Sequence, residues 1–482
     1  MSKQAKTAIT PTREKDFPEW YQQVIKAADM AENSPVRGCM IIKPYGYAVW
    51  ENMQRIFDDQ IKACGVQNAY FPLLIPLEFI SREAEHVEGF AKECAVVTHH
   101  RLEAGEEGGL VPAGKLEEPY VIRPTSETII GDSMARWVQS YRDLPLKLNQ
   151  WCNVMRWEMR TRMFLRTSEF LWQEGHNAFE NEDQAREDMH KMLDEYADFA
   201  ENSLALPVIR GFKTEDERFP GALDTMTIEV MMQDGKALQA GTSHYLGQNF
   251  AKSSGIKFQD REKQEQFAHT TSWGISTRLI GAMIMTHGDD DGMIMPPRIA
   301  PHPVIIIPFI KDEADTAKII DYCESLKTRL KDQNINAHID DRESRMSNKM
   351  WDAVKKGVPV RVEIGMREME ENALTSVRRD IGRDSKSTQS VDDFCTGIQG
   401  VLDDIHNSML NKARDFQNAN IHEVVTLEEA EAFFKAKKIG FLKLDTALMD
   451  DVKFEHLKKN HSLTSRCLPL DDEGKVIIGK AY

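Results

Sequence analysis

Apolar residues recur at helical spacing between positions 46 and 65, and Gly65 stands where such a helix would end. The stretch 69–76 follows; it is mostly apolar and ends in proline. We therefore predict a long helix and then an extended strand in this part of the chain. This pattern alone does not show whether the two elements have a functional role, because a helix and strand of an ordinary core would fit it equally well.

Strand patterns at 146–159 and 164–174 flank a short loop at 160–163. Residues two apart on a strand project from the same face, so this pair of strands predicts one polar surface. That surface would carry Arg156 and Glu158 on the first strand, and Arg166, Trp172 and Glu174 on the return strand. A solvated ladder of cross-strand ion pairs is the alternative, although the two segments hold five aromatic residues, which is unusual for an exposed face.

A proline cluster at 296–303 predicts a linker between domains. The apolar run 304–307 beyond it is typical of a buried parallel strand. Further predicted elements alternate: a helix, a strand near 335–339, a helix near 349–356 and a strand at 358–364. This alternation predicts a small α/β domain with a largely parallel sheet. From about residue 403 the pattern is mixed, and we divide the chain into residues 1–297, 298–402 and 403–482.

The composition is that of an ordinary globular protein, with 41% hydrophobic and 29% charged residues. No apolar run approaches the ~20 residues of a membrane helix, and the first 20 residues lack the apolar core of a signal peptide. We therefore expect a cytoplasmic protein. The net charge of −16 argues against indiscriminate binding to a polyanion, so any RNA contact must come from local basic surface.

The chain has seven cysteines, and none forms a CxxC pair. This scatter favours free thiols over a disulfide framework or a cysteine-based zinc site.

Several segments resemble the signature sequences of the prolyl-tRNA synthetases, a family of class II aminoacyl-tRNA synthetases. The helix and strand predicted within 46–76 have the layout of the first, dimer-forming signature. The other matching segments are the proline-binding loop at 123–128, the second signature at 156–176, a stretch at 239–250 and the third signature at 271–278. The resemblance runs from about residue 20 to about residue 400 and is closer to the archaeal and eukaryotic type.

This resemblance implies an α+β class II catalytic domain, in which helices flank an antiparallel sheet. An α/β anticodon-binding domain and a small α/β C-terminal domain would follow. It also implies L-proline, ATP with Mg2+ and tRNA(Pro) as reactants, a homodimer as the assembly, and neither a membrane nor DNA as a partner.

Adenylate formation brings the carboxylate of an amino acid against the α-phosphate of ATP, so two anions must meet. Fixed positive charge and positioning therefore matter more than a general base. By resemblance, Arg156 would bridge the carboxylate and the α-phosphate, while Arg278 would hold the far end of the triphosphate; these are the expected catalytic residues. The other nucleotide contacts implied are Glu158, Arg166, Thr167, Gln239, Thr242 and Ser276, with Gln239 also implied as a magnesium contact.

Proline presents a secondary ammonium group on an apolar ring, so its site needs acceptors near the nitrogen and an apolar wall. Thr125 and Glu127 supply a hydroxyl and a carboxylate, and Trp172 and Phe90 are candidate walls. The resemblance adds Arg156, Glu174, His176, His244 and Ser272 to the proline pocket.

Two of these assignments have a competing interpretation. Taken alone, His244 is more simply a hydrogen-bonded core histidine, and only the surrounding 239–250 block favours the pocket. Thr225, Thr227 and Glu229 alternate with apolar residues, which predicts a polar strand face toward the site. For Glu229, a structural role is as good an interpretation as a ligand role.

The segment after the linker resembles the anticodon-binding domain of the same subclass. Arginines can stack on unpaired bases and pair with their edges, so we select Arg342 and Glu363 as anticodon contacts, with a solvated charged face as the alternative. The sequence departs from the family at 346–348, where a Pro-Gly pair is usual.

The C-terminal segment departs further, because relatives often hold a zinc ion there with four cysteines. This chain offers only Cys467, with His456 and His461 nearby, so we expect no zinc. The resemblance also implies that the terminal carboxylate of Tyr482 folds back toward the catalytic domain.

Only about 120 residues separate Glu158 from Arg278, which leaves no room for an editing insertion. An apolar pocket rejects a smaller amino acid poorly, by only ~1–3 kcal/mol per missing methylene, so alanine should be activated to some extent. Two alternatives remain: a non-catalytic paralogue that binds tRNA or an amino acid, and a related class II synthetase for threonine, serine or glycine.

Overall fold

The computed structural model describes residues 7–82 and 93–482. The helices of the first 297 residues are α1 (Phe17–Ala27), α2 (Pro44–Ala63), α3 (Leu77–Arg82), α4 (Glu127–Trp137), α5 (Glu182–Leu204), α6 (Asn249–Ser254) and α7 (Arg278–His287). The strands are β1 (Ala31–Asn33), β2 (Met40–Ile42), β3 (Gln67–Asn68), β4 (Leu74–Pro76), β5 (Ala95–Ala104), β6 (Leu110–Ile122), β7 (Leu146–Met155), β8 (Glu169–Phe179), β9 (Ile209–Phe212), β10 (Asp224–Met231), β11 (Ala237–Gly247), β12 (Lys257–Gln259), β13 (Glu265–Phe267) and β14 (His269–Ser276).

A central sheet with the strand order β9-β10-β11-β14-β8-β7-β3 organises this region. Its neighbours are antiparallel except β3, which runs parallel to β7. Gly175 on β8 faces the indole of Trp273 on β14, and a Cβ placed at Gly175 would lie 1.9 Å from that ring. Only glycine allows the two strands to pack with the indole in this position. The antiparallel sheet flanked by helices confirms the predicted fold class.

Helices α2 and α5 cover one face of the sheet with an aromatic core. The rings of Phe57 and Tyr196 stack with their centroids 5.2 Å apart, and Trp50 meets Trp151 edge-on at 5.7 Å. Large buried rings such as these contribute most of the apolar area removed from water. The predicted helix at 46–65 is confirmed as α2, and Gly65 has the positive φ of +81° that ends it. The extended stretch after it contains the strand β4 only at its end.

The strands predicted at 146–159 and 164–174 are shorter and shifted. Strand β7 ends at Met155 and β8 begins at Glu169, so Arg156, Glu158 and Arg166 lie in the connecting loop. The prediction that these three side chains share strand faces was wrong. The Trp157 amide donates at 2.7 Å to the carbonyl of Glu93, a residue distant in the sequence, instead of continuing the β7–β8 ladder. Trp172 and Glu174 do share one face of β8.

The second region forms its own five-stranded sheet. Its strands are β15 (Val304–Pro308), β16 (Ala337–Ile339), β17 (Val360–Ile364), β18 (Ala373–Arg378) and β19 (Ser387–Ser390), and its helices are α8 (Thr316–Lys331), α9 (Met346–Lys356), α10 (Met366–Glu370) and α11 (Val391–Ala419). The order is β16-β15-β17-β18-β19, with β15 parallel to β16 and β17. The remaining two pairs are antiparallel, so the prediction of a largely parallel sheet holds for only half of the pairs. The short connections after β17 and β18 leave no room for the crossovers that parallel pairing needs.

The C-terminal segment continues the central sheet. It contains β20 (Ile421–Glu423), α12 (Leu427–Lys435), β21 (Phe441–Asp445), α13 (Val452–His461), β22 (Thr464–Pro469) and β23 (Lys475–Gly479). Strand β22 pairs antiparallel with β9, so one eleven-stranded sheet runs from β20 to β3. The predicted boundary at 402/403 lies within α11, which runs through it unbroken.

Candidate active site

Two adjoining cavities open on the face of the central sheet opposite to helix α5. The larger has a volume of about 230 Å³, and its lining includes Thr125, Glu127, Arg156, Trp172, Glu174, His176, Gln239, Thr242, His244, Ser272, Ser276 and Arg278. The smaller, of about 100 Å³, is lined in part by Arg156, Glu158, Arg166, Thr167, Ser276 and Arg278. Every predicted proline or nucleotide contact within 7–82 and 93–482 therefore lines one cleft. Phe90 lies outside the described residues.

One end of the cleft is built around two carboxylates. Glu127 is the first residue of α4, where the helix dipole favours negative charge, and it accepts a hydrogen bond from the Thr125 hydroxyl. Glu174 lies beside it on β8. Its Oε1 accepts from the Ser126 hydroxyl at 2.5 Å and from the Gln150 amide at 3.0 Å. We call this part the carboxylate end.

His176 completes the carboxylate end and keeps Glu174 ionised. The His176 Nε2 lies 3.0 Å from Glu174 Oε2. Burial alone would raise the pKa of Glu174, but the bonds from His176, Ser126 and Gln150 outweigh it and hold the pKa below its usual value. Burial would likewise lower the pKa of His176, and the bond to Glu174 outweighs it, so that pKa is raised. The two side chains therefore form a buried ion pair beneath the cavity.

His244 is neutral at physiological pH. Burial, followed by the charge of His176, lowers its pKa to about 3. Its Nδ1 lies 2.9 Å from the Thr225 hydroxyl, which itself accepts from the Phe219 amide at 3.1 Å. His244 thus has the internal partner of a core histidine and also lines the cavity.

Arginines form the other end of the cleft. The Arg156 Nε donates to the Pro124 carbonyl at 2.9 Å, and its guanidinium carbon lies 5.5 Å from the centre of the Trp172 ring. The Arg278 Nε donates to the Leu165 carbonyl at 3.1 Å. Burial, with repulsion from Arg166 and Arg156, lowers the pKa of Arg278 to about 10, so it remains a cation at neutral pH. We call this part the arginine end.

The connecting loop contributes a third arginine to this end. Arg166 forms an ion pair with Glu158 at 3.0 Å, and the Arg166 side chain is 62% exposed. The Thr167 hydroxyl is not directed to the pair but donates to the Glu169 carbonyl at 2.7 Å. The sequence thus located these residues at the cleft, although the loop rather than a strand face places them there.

Fixed cations at one end of a narrow cleft and carboxylates at the other suit a zwitterionic ligand joined to a polyanion. The buried Ser272 hydroxyl has no hydrogen-bond partner within the described chain, so it is available to a ligand. For magnesium, Gln239 offers one amide oxygen, and no cluster of three potential metal ligands occurs in the described residues. Mg2+ prefers several oxygen ligands, so phosphate oxygens and water would have to complete its coordination.

Sequence analysis missed several cleft residues and the environment of Glu229. Glu217, Arg218 and Phe219 line the larger cavity from the loop before β10, a segment with no recognisable strand or helix pattern. Glu229 is fully buried and bonds to Lys213 and Arg466, which supports the structural interpretation. The signal for its partners was available, because a carboxylate in the middle of a buried strand requires cations.

The predicted anticodon contacts lie near the carboxyl ends of two strands of the second sheet, β16 and β17. Arg342 follows β16 and donates from Nε and Nη2 to Asp340 at 2.8 and 2.7 Å, which raises its pKa. Its side chain is still 55% exposed. Glu363, near the end of β17, accepts from Arg361 at 3.1 Å and from Lys386 at 3.2 Å.

The C-terminus packs against the catalytic region. The Tyr482 amide donates to the Ala237 carbonyl at 3.0 Å, and its hydroxyl donates to Asp234 at 2.5 Å. Cys467 is buried near β9, whereas His461 lies beside Glu431.

Comparison with known proteins identifies relatives of the whole chain. Residues 113–287 match the tRNA synthetase class II core domain (G, H, P, S and T), and residues 303–401 match an anticodon binding domain. A proline–tRNA ligase of Bdellovibrio bacteriovorus is 55% identical over 479 residues, covering 97% of this chain and 95% of the relative. Proline–tRNA ligase 2 of Anaeromyxobacter dehalogenans is 54% identical, with 97% and 94% covered. The crystal structure of prolyl-tRNA synthetase from Cryptosporidium parvum complexed with halofuginone and AMPPNP superposes with a TM-score of 0.89 at 37% identity, covering 98% of this chain and 99% of that chain.

Proposed function

The chain belongs to the proline–tRNA ligase family of class II aminoacyl-tRNA synthetases, and we propose that the cleft described above is where it activates L-proline. In the first step, a carboxylate oxygen of proline attacks the α-phosphorus of ATP, a new O–P bond forms, and diphosphate leaves. In the second step, a terminal ribose hydroxyl of tRNA(Pro) attacks the prolyl carbonyl carbon, and AMP leaves.

One observation carries this assignment of residues to steps. Of the residues at the arginine end, Arg156 also faces the carboxylate end: it donates to the Pro124 carbonyl, is attracted by Glu127 and Glu174, and packs against Trp172. A planar guanidinium in this position can bind the proline carboxylate and the α-phosphate at once. It would hold the two anions together and stabilise the charge that develops on the phosphoryl oxygens.

The carboxylate end would bind the imino acid. The secondary ammonium has two N–H donors, and the Glu127 carboxylate with the Thr125 hydroxyl offers acceptors for them. The Trp172 ring would form the apolar wall. Glu174, His176, His244 and Ser272 would close the pocket, and the neutral His244 adds no charge that repels the ammonium group.

The arginine end would bind the nucleotide. Arg278 and Arg166 would hold the triphosphate, with contacts from Glu158, Thr167, Thr242 and Ser276. Gln239 would contribute an amide oxygen to Mg2+, and the ion would neutralise part of the triphosphate charge.

The archaeal and eukaryotic-like type, without an editing insertion, is part of the proposal. The elements α5 to β13 occupy residues 182–267 between the second and third signatures, which supports the absence of an inserted domain. Purified enzyme should therefore release alanine from alanyl-tRNA(Pro) no faster than spontaneous hydrolysis. Hydrolysis by the enzyme alone would contradict this part.

We also propose a homodimer, a cytoplasmic location and a C-terminal segment without zinc. None of the helices in the described regions is long and apolar enough to cross a membrane. Light scattering after gel filtration tests the dimer, and metal analysis showing one zinc per chain would contradict the last point.

Proline-dependent exchange of diphosphate into ATP tests the assignment directly. We expect strong exchange with proline, weak exchange with alanine and none with threonine. Absence of exchange with proline, in a preparation that still binds tRNA, would favour a non-catalytic paralogue.

A further inference from the structure

A buried cluster of charges connects the C-terminal segment to the catalytic sheet. Glu229 on β10 is fully buried, and its Oε2 accepts from Arg466 on β22, from Nε at 3.1 Å and from Nη2 at 2.7 Å. Its Oε1 accepts from Lys213 at 2.9 Å and from the Thr227 hydroxyl at 3.0 Å. Three side chains from three different elements thus saturate one carboxylate.

The cluster depends on all of its charged members. A carboxylate removed from water is stable only when cations and hydrogen bonds replace its solvation. Burial would raise the pKa of Glu229, but Lys213 and Arg466 outweigh it and hold the pKa low, so the carboxylate is ionised. Removing Arg466 would leave a buried carboxylate with two of its four hydrogen bonds lost.

This cluster lies directly beneath the arginine end of the cleft. Glu229 is paired with Gln239 across the β10–β11 ladder, at the position where the register shifts. Gln239 lines the cavity, and its backbone carbonyl oxygen lies 3.5 Å from Arg278 Nη1. A displacement of Glu229 would therefore be transmitted through the pairing of β10 with β11 to Gln239 and Arg278, the two residues proposed to bind ATP.

The cluster also governs the charge near Arg278. Glu229 attracts the Arg278 guanidinium and Arg466 repels it, so the two act in opposite directions. Arg278 forms no ion pair with any residue in 7–82 or 93–482. While Lys213 and Arg466 occupy Glu229, the carboxylate does not compete with a phosphate for Arg278.

We propose that Arg466 is a positioning residue for ATP: from the C-terminal segment, it holds Glu229 in place, and thereby fixes Gln239 and leaves the Arg278 guanidinium available to the triphosphate. This inference rests on the proposed assignment of Gln239 and Arg278 to the nucleotide. It gives the C-terminal segment a role in amino-acid activation that requires no metal. The competing explanation is that the contact between Arg466 and Glu229 only stabilises the fold.

Equilibrium titration of the full-length protein with ATP and, separately, with proline distinguishes the two explanations. Arg466→Met removes the charge and both hydrogen bonds to Glu229, and Arg466→Lys keeps the charge with fewer donors. Lys475→Met is the matched control, because Lys475 also forms an ion pair in the C-terminal segment, with Glu423 at 2.7 Å, and lies on β23, which pairs with β21 and β22. The KM values for ATP and proline in diphosphate exchange give a second readout.

We expect Arg466→Met to weaken ATP binding about tenfold and Arg466→Lys about threefold, with proline binding changed less than about twofold in both. Lys475→Met should match the unmodified protein. Equal loss of ATP and proline binding, unchanged ATP binding, or an equal effect of Lys475→Met would overturn the proposal.

If Arg466→Met does not fold, Arg466→Lys decides, and ATP binding unchanged in that variant would overturn the proposal. The binding titration needs no turnover. Failure of proline-dependent exchange in the unmodified protein would therefore count against the proposed function, while the ATP titrations would still test the role of Arg466.

Discussion

The two ends of the cleft carry opposite charges and support them differently. At the carboxylate end, Glu174 is saturated by Ser126, Gln150 and His176. At the arginine end, Arg156 donates to the Pro124 carbonyl and Arg278 donates to the Leu165 carbonyl. The carbonyl partner orients the Arg278 guanidinium without neutralising it.

This difference agrees with what the proposed function requires of each end. A small ammonium group needs acceptors in fixed positions, and a hydrogen-bonded network keeps its members from rearranging. A polyphosphate needs positive charge: Arg278 has no ion-pair partner in the described residues, whereas Arg166 would have to exchange Glu158 for a phosphate. Arg156 belongs to the arginine end but also faces the carboxylates, so substitutions there and on either side should separate the two proposed functions.

Arg156→Ala should have the largest effect, because it removes the group shared by both ends. We expect diphosphate exchange to fall by about 10³-fold or more, the loss associated with removing a preorganised charge from a transition state. Arg142→Ala is the matched control, since Arg142 also stacks on an aromatic ring, with 5.0 Å to the centre of Tyr141, but lies outside the cleft. A loss below about tenfold in Arg156→Ala, with folding intact, would contradict the bridging role.

Glu127→Gln should affect the carboxylate end alone. The neutral amide keeps the size of the side chain but loses the charge that faces the ammonium group, so we expect kcat/KM for proline to fall about 10²-fold. The KM for ATP should change by less than about threefold. Glu118→Gln, at an exposed position of β6, is the control. A parallel rise in both KM values would mean that the two ends do not act separately.

The sequence predicted the members of this cleft better than the elements that hold them. Helix α2 was predictable because its apolar spacing persists over five turns and Gly65 ends it. The strand faces at 156–166 were not predictable, because a hydrogen bond from the Trp157 amide to the distant Glu93 carbonyl diverts the chain there. The motifs predicted that Arg156 and Arg278 lie at one site, and both residues line the same cleft.

Long-range partners were the least predictable part. Arg466 lies 237 positions from Glu229 in the sequence, and only the pairing of β22 with β9 brings them together. Periodicity within one segment carries no information about such contacts. The same holds for the mixed sheet of the second region, where the direction of β18 and β19 follows from short connections rather than from the strands themselves.

Arg342→Ala tests a cation outside both ends of the cleft. Its guanidinium forms ion pairs with Asp340 and Asp352, but the side chain remains 55% exposed. The charge of Arg342 is therefore paired and still accessible to RNA. We expect the KM for tRNA(Pro) to rise about tenfold, with exchange of diphosphate unchanged. Arg367→Ala, on an arginine that is paired with Glu371 and 77% exposed, is the control. An unchanged KM for tRNA would favour a purely solvated ion pair.

The smallest effect we expect is a pH dependence of stability that comes from the carboxylate end. The pKa of His176 is raised, so its ion pair with Glu174 contributes fully below the ordinary value of 6.5 and is lost as pH rises through the raised pKa. The pKa of Glu174 is lowered, so on the acid side the contribution is present above 4.5 and is lost as pH falls through the lowered value.

Melting temperatures of the unmodified protein and His176→Gln, measured from pH 5 to pH 9, test this dependence. The unmodified protein should exceed the variant by about 2 °C between pH 5 and 6.5, and the difference should shrink at higher pH as the imidazole loses its proton. The exposed His100→Gln should show no such trend. A difference that stays constant, or that grows on the alkaline side, would mean that an uncharged hydrogen bond rather than an ion pair holds Glu174. Arg278 cannot produce such a trend below pH 9, because its pKa is about 10.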